Sequence, residues 1–296
     1  MHATTRERIK LAAALAPALT LVAVLFGASV VYGVAQSLGY LTIIGQTSLN
    51  LDAYRAVLLG PSPAAAEFWP SLGFSVWVSA VSTLFAAVGA LCLAVLLTNR
   101  RKPSAASVLA LNMNLAFPHL VWAVGLGLLL SQSGLIARVA ASLHLISAPS
   151  EFPVVVRDRY GIGIILDYVT KEIPFLTLIL LAILRAQPEG YQLVAENLGA
   201  NPWQRLRYIT LPLVLPGLLP SALLVFGFVF GAYEVPAVLG VRFPRMLAAL
   251  SLEFFLDPDL RRRAEGMAIS VVMALIVLLI AGTGYALQAQ NVERRT

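Results

Sequence analysis

FWPSLGFSVWVSAVSTLFAAVGALCLAVLLTN, from Phe68 to Asn99, contains no Asp, Glu, Lys or Arg. A helix crossing the roughly 30 Å hydrocarbon layer needs about 20 largely apolar residues, so this stretch suffices for one crossing. It lacks the strict alternation of a barrel strand, and lipid leaves a spanning backbone only helices or a closed barrel. Working outward, further charge-free runs occupy 11–51, 103–137, 208–233 and 266–292. A sixth run, 173–184, would rise only about 18 Å as helix, so a span there extends upstream through Asp167, Lys171 and Glu172. The reading is an all-α polytopic membrane protein of six transmembrane helices, placed at roughly 11–35, 70–98, 105–130, 166–187, 212–234 and 265–288.

Composition excludes the main rivals. Of 296 residues, 59% are hydrophobic and 12% charged, against about 45–50% and about 25% in a soluble domain. A mean hydropathy of +0.82 excludes disorder. Three His and one Cys leave no material for a zinc site or a disulfide framework. Cys92 lies in an apolar run and reads as a small hydrophobe. Arg6, Arg8 and Lys10 before an apolar stretch imitate a secretory signal. That stretch, Leu11 to Val34, is too long for a cleaved signal core and is kept as the first span.

Six spans put both termini on one side. That side collects 11 Lys and Arg and the other 10, so totals do not decide the orientation. The first set sits in the shorter segments, where basic residues orient a membrane protein, and the expectation is cytoplasmic termini. The net charge of +6 is then explained by orientation and anionic lipid, with no nucleic acid partner.

Residues 188–211, between the fourth and fifth spans, read as a short helix, a sharp turn and a second short helix. Pro188 suits a first turn and Glu189 complements the positive helix end. Tyr191, Val194, Ala195 and Leu198 fall at i, i+3, i+4 and i+7, giving one apolar face. Gly199 stands where a left-handed residue ends a helix. Asn201, Pro202 and Gln204 then spell an N-cap, N1 and N3 capping box. Trp203, Leu206 and Tyr208 give the second helix a bulky apolar side, beside Arg205 and Arg207. The physics alone leaves open an amphipathic hairpin lying on lipid.

Leu193-Val194-Ala195, three more, Gly199, nine more, Ile209-Thr210-Leu211-Pro212 resembles the cytoplasmic EAA loop of importer-type ABC transporter permeases, patterned EAA-x3-G-x9-I-x-L-P. LGANPWQRLRYITLPLVLPG, from Leu198 to Gly217, carries the likeness most strongly. Leu193 and Val194 stand where the pattern has Glu and Ala, so a carboxylate contact would fall to Glu196 or Glu189. The resemblance extends over about 70–290 and is similar to the branch with polyamine, thiamine, sulfate and iron permeases. It implies a type I ABC importer permease fold and a bacterial or archaeal inner membrane. Its implied partners are ABC ATPase subunits, a second permease subunit, an extracytoplasmic solute-binding protein and membrane lipid. It also implies that Tyr191, Ala195, Glu196, Gly199, Ala200, Trp203 and Arg205 couple to the ATPase. Lys10, Lys102 and Lys171 lie in no G-x4-G-K-S/T loop, so ATP and Mg belong to that partner and this chain binds no cofactor or metal.

The candidate substrate path is Glu234 with Tyr233 beside it, and Asp167 and Glu172 at the outer end of the fourth span. Glu234 reads either as an anchoring or ion-paired carboxylate, with Arg242 or Arg245, or as a gate residue. Three outward carboxylates lean toward a cation such as a polyamine or thiamine, though nearby arginines blunt that lean. His119, after Pro118, reads as a hydrogen-bonded core residue. Gly227 and Gly231 read as a close-packing face. The loop 131–171 reads as a vestibule or binding-protein contact. The alternative function is a stand-alone ion-coupled secondary transporter or channel using Asp167, Glu172 and Glu234. A membrane-embedded enzyme fits less well, because no nucleophile and base stand together.

Overall fold

The structure, a computed structural model, describes residues 5–60, 63–98, 105–186 and 190–293. Its helices are, in order, α1 (Thr5–Ser37), α2 (Asp52–Leu58), α3 (Pro63–Thr98), α4 (Ala105–Ala116), α5 (His119–Leu130), α6 (Leu135–Ser142) and α7 (Ile162–Arg185). There follow α8 (Gly190–Asn197), α9 (Pro202–Arg205), α10 (Leu211–Gly231), α11 (Glu234–Leu239), α12 (Leu247–Phe255) and α13 (Arg263–Glu293). No strand occurs among the described residues. The all-α membrane fold read from the sequence is what the chain forms.

Five stretches are long and apolar enough to cross a membrane: Ala13–Ser37, Pro63–Thr98, His119–Ser142, Pro202–Gly231 and Leu260–Ala286, with Ala106–Ala116 as a shorter apolar helix. With 24 residues, α7 rises about 36 Å and is long enough as well. What separates it from the five is its charge, Asp167, Lys171 and Glu172.

The stretch read as one span over 105–130 is corrected to two helices. Pro118 has no N–H to give the Asn114 carbonyl, and its ring disfavours helical backbone at Phe117. The chain therefore stops α4 at Ala116, and Pro118 becomes the extended N-cap of α5 (φ −60°, ψ 145°). The fifth span also ends early. Ala232 is extended, so Glu234 opens α11 instead of closing α10.

The chain divides into two compact units. The first holds residues 1–68 and 251–272. Its small core joins Leu41, Ala53, Ala264 and Ala268, with Ser37 Oγ 2.8 Å from Tyr54 Oη. Side chains along α1 such as Leu19, Phe26 and Val31 are exposed, as expected of a helix solvated by lipid.

The second unit holds residues 69–250 and 273–296. Small residues let its helices approach closely, because lipid offers helices little hydrophobic drive to associate. The buried face of α3 includes Ser71, Ser75, Ser79, Ser82, Ala86, Ala90 and Ala94, with Phe74 and Val78 among them. Ser75 Oγ accepts the Leu247 N–H at 2.7 Å. Against Gly217 of α10 lies Ile183 of α7, and a Cβ there would stand 2.3 Å from Ile183 Cδ1. Of the expected Gly227 and Gly231 face, Gly227 meets Val277 of α13, while nothing approaches Gly231 within 4 Å.

Candidate functional site

Two places carry the chemistry. The first is the segment from Gly190 to Thr210. Gly199 ends α8 at φ +79°, and a Cβ there would meet nothing within 4 Å. Its requirement is conformational, not steric. The capping box is complete: the Gln204 N–H donates to Asn201 Oδ1 at 2.9 Å, and the Asn201 N–H donates to Gln204 Oε1 at 2.8 Å. Each bond satisfies a donor that the turn would leave bare.

Beyond α9 the backbone does not break. Leu206–Thr210 is a π-helical turn in which the Leu211 N–H reaches back to the Leu206 carbonyl. Pro212, lacking an N–H, sits just beyond it. The second short helix is therefore continuous with the fifth span, Pro202–Gly231, and displacement of one moves the other.

The expected outward residues sort into two sets. Trp203 is exposed, as are Val194, Tyr208 and Leu198, the last 82% exposed. Ala195 is 8% exposed and so lies on the inside of the knob. Ala200 ties the turn, its N–H donating to the Ala195 carbonyl at 2.9 Å. Glu196 pairs with Arg205 and braces α8 against α9. Tyr191 lies in α8, but its side chain, like Pro188 and Glu189, lies outside the described residues. Leu198 and Tyr208, both read from the sequence as part of the apolar sides of the two short helices, belong to the exposed face.

The second place is polar and buried, where α7 meets α4, α5 and α10. Asp167 and Lys171 are essentially inaccessible and Glu172 is 7% exposed. Of the two carboxylates expected at the outer end of the fourth span, Asp167 keeps to the N-terminal end of α7 and Glu172 lies deeper. Asp167 is in the second turn of α7, and Glu172 lies about 15 Å along it. Burying such groups in a membrane bundle is costly unless they are paired. Glu172 Oε1 lies 3.0 Å from His119 Nε2. Lys171 Nζ donates to the carbonyls of Asn114 and Phe117, each at 2.6 Å. Trp122 Nε1 donates to Thr170 Oγ1 at 2.8 Å. Both Asp167 carboxylate oxygens and the Tyr168 hydroxyl lack a protein hydrogen-bond partner.

Aromatic rings close this cluster toward α10. The His119 centroid is 5.0 Å from Phe228, and Tyr168 meets Phe228 edge-on at 6.3 Å. Glu234 is exposed at the first turn of α11. Tyr233 beside it is 44% exposed. The four path candidates thus divide into an exposed pair, Tyr233 and Glu234, and a buried pair, Asp167 and Glu172. His119, expected as a hydrogen-bonded core residue, is one: it meets Glu172 and packs against Tyr168 and Phe228.

The family described as "Binding-protein-dependent transport system inner membrane component" matches residues 56–296. The chain belongs to this family of multi-pass inner-membrane components, which is the fold and loop signature derived above. It is 30% identical over 222 residues to the inner membrane ABC transporter permease protein YnjC of Escherichia coli (strain K12), covering 74% of this chain and 42% of that protein. With the thiamine transport system permease protein ThiP of Brucella suis biovar 1 (strain 1330) it is 29% identical over 235 residues, 75% of this chain and 40% of that one. The chain thus spans about two fifths of the length of these curated relatives. Its fold matches a chain in the crystal structure of a bacterial ABC transporter involved in the import of the acidic polysaccharide alginate, with TM-score 0.78, 15% identity and 96% of each chain covered.

Proposed function

We propose that the chain is the permease subunit of an ATP-driven importer, forming half of a translocation path with a second permease subunit. Two ABC ATPase subunits would bind ATP and Mg, and an extracytoplasmic solute-binding protein would deliver the cargo. The observation that carries this reading is the Gly199 turn. It presents Leu198, Trp203 and Tyr208 on a braced knob that is continuous with the membrane helix α10. An apolar knob fixed to a span can dock in a groove and transmit displacement. Lys171, one of three lysines, is committed to backbone carbonyls, not to phosphate.

The solute we favour is small, polar and cationic. Supporting this are the exposed Glu234 and Tyr233, the rings of His119, Tyr168 and Phe228 in the buried cluster, and the carboxylates Asp167 and Glu172. Aromatic faces and carboxylates together suit a nitrogen cation. Thiamine, named for one relative, carries a quaternary one.

The test is isolation of the tagged chain from native membranes, followed by uptake of radiolabelled thiamine, putrescine and sulfate into proteoliposomes. An ATPase should co-isolate, and ATP-dependent uptake should favour the cations. A chain that transports alone returns the ion-coupled alternative, and preference for sulfate overturns the cationic reading.

A further inference from the structure

Pro118 creates a problem that the sequence solves 53 residues later. In a continuous helix the Asn114 carbonyl would accept from residue 118 and the Phe117 carbonyl from residue 121. Pro118 has no N–H, so the Asn114 carbonyl keeps only a long bond from the Phe117 N–H at 3.3 Å, and the break at α5 takes the helical partner from the Phe117 carbonyl as well. Within a membrane bundle both need partners. Lys171 supplies them, each at 2.6 Å, from a side chain only 2% exposed. A cation also suits the negative end of α4, and its reach of four methylenes spans the gap that a hydroxyl or amide would not.

The residues flanking Lys171 hold the far side of the same break. Thr170 donates its hydroxyl to its own helix, at Leu166 or Asp167, and accepts from Trp122 Nε1. Glu172 holds His119. Three consecutive residues of α7 therefore grip α4 on one side of Pro118 and α5 on the other. Consecutive helix positions point about 100° apart, so such a grip needs α4 and α5 to wrap around α7. From its other end, α7 leads toward α8 and the Gly199 turn.

We propose that Lys171 is a positioning residue for transport: it fixes the angle between α4 and α5 at Pro118, so that movement of α7 reaches α5 as one discrete step. The functional half of this rests on the permease reading, while the fixed angle does not.

The experiment uses the full chain in its isolated complex, in a Cys92→Ala background. Cysteines replacing the exposed Leu109 of α4 and Leu128 of α5 carry spin labels, and their separation is measured by double electron–electron resonance with and without ATP and vanadate. The expected wild-type result is one narrow distance in each state and a shift between them. Lys171→Met should broaden the distribution and abolish the shift while ATP hydrolysis persists. Lys171→Arg, which still donates to two carbonyls, should restore both. In Pro118→Ala/Lys171→Met the new N–H serves Asn114, so thermal stability should recover without recovery of the nucleotide-driven shift. An unchanged distribution in Lys171→Met, or recovery of the shift in the double variant, overturns the proposal. Should Lys171→Met fail to insert, Thr170→Val and Glu172→Leu, which remove the partners of Trp122 and His119, each release the α5 side and are read in the same way. If no ATPase accompanies the wild-type chain, the permease reading fails, and the width of the distribution alone decides the clamp.

Discussion

At Glu234 a carboxylate stands exposed in the first turn of α11, where the chain leaves a charge-free helix. Position there stabilises it in a modest way, since a helix start favours negative charge by about 0.3–1 kcal/mol. Glu234→Gln keeps size and hydrogen-bonding capacity while removing the charge. Uptake of thiamine into proteoliposomes should fall several-fold with assembly intact, and more than uptake of a neutral solute. Unchanged uptake in a fully assembled complex would make Glu234 an anchor and remove the main support for a cationic solute. The residue types of this site were legible in the sequence, but not their division into exposed and buried pairs. Lys171 shows why. A charge in a hydropathy profile counts against a span, and nothing in the local sequence reveals that a proline 53 residues earlier has left carbonyls for that charge to satisfy.

Between the helices of the Gly199 turn, the local chemistry was readable because each signal acts on its neighbours: the left-handed Gly, the Asn201 cap, the Gln204 partner. What periodicity alone could not tell was which side of α8 faces inward, and there Ala195 turned out to be buried. The break at Pro118 was equally local and was passed over because the run from 103 to 137 is unbroken by charge. A breaker inside an apolar run divides a helix whatever its hydropathy. Because a Cβ at Gly199 meets open space, only the positive φ opposes substitution, at about 1–2 kcal/mol for a residue with a Cβ and more for a β-branched one. Gly199→Val should therefore uncouple ATP hydrolysis from uptake while the spans still insert. Gly199→Asn, whose side chain tolerates the left-handed region, should stay near wild type. Equal activity of the two variants would show that the turn is not what the ATPase engages.

For the whole molecule the open question is which way it faces, and the structure sharpens the charge argument. Lys171 was counted among ten basic residues on the outer side, but it is buried midway along α7. A residue that never meets either interface cannot orient the chain, so the outer count falls from ten to nine against eleven on the inner side. The nine are also spread through longer segments, whereas Arg185, Arg205 and Arg207 lie close to the ends of α7 and α10. With α7 about 36 Å long, enough for one crossing, the loop before it and the knob after it are expected on opposite faces. The expected arrangement puts 199–207 in the cytoplasm and 147–159 and 242–259 outside, with Arg100 to Lys102, outside the described residues, on the cytoplasmic side. Single cysteines replacing Leu198 and Ser150, both exposed, can be labelled in a Cys92→Ala background with a membrane-impermeant maleimide. In spheroplasts Ser150→Cys should react and Leu198→Cys should not, and inverted vesicles should reverse the pattern. Labelling of Leu198→Cys in sealed spheroplasts would invert the molecule, placing the knob where no ATPase could reach it and Glu234 on the cytoplasmic side.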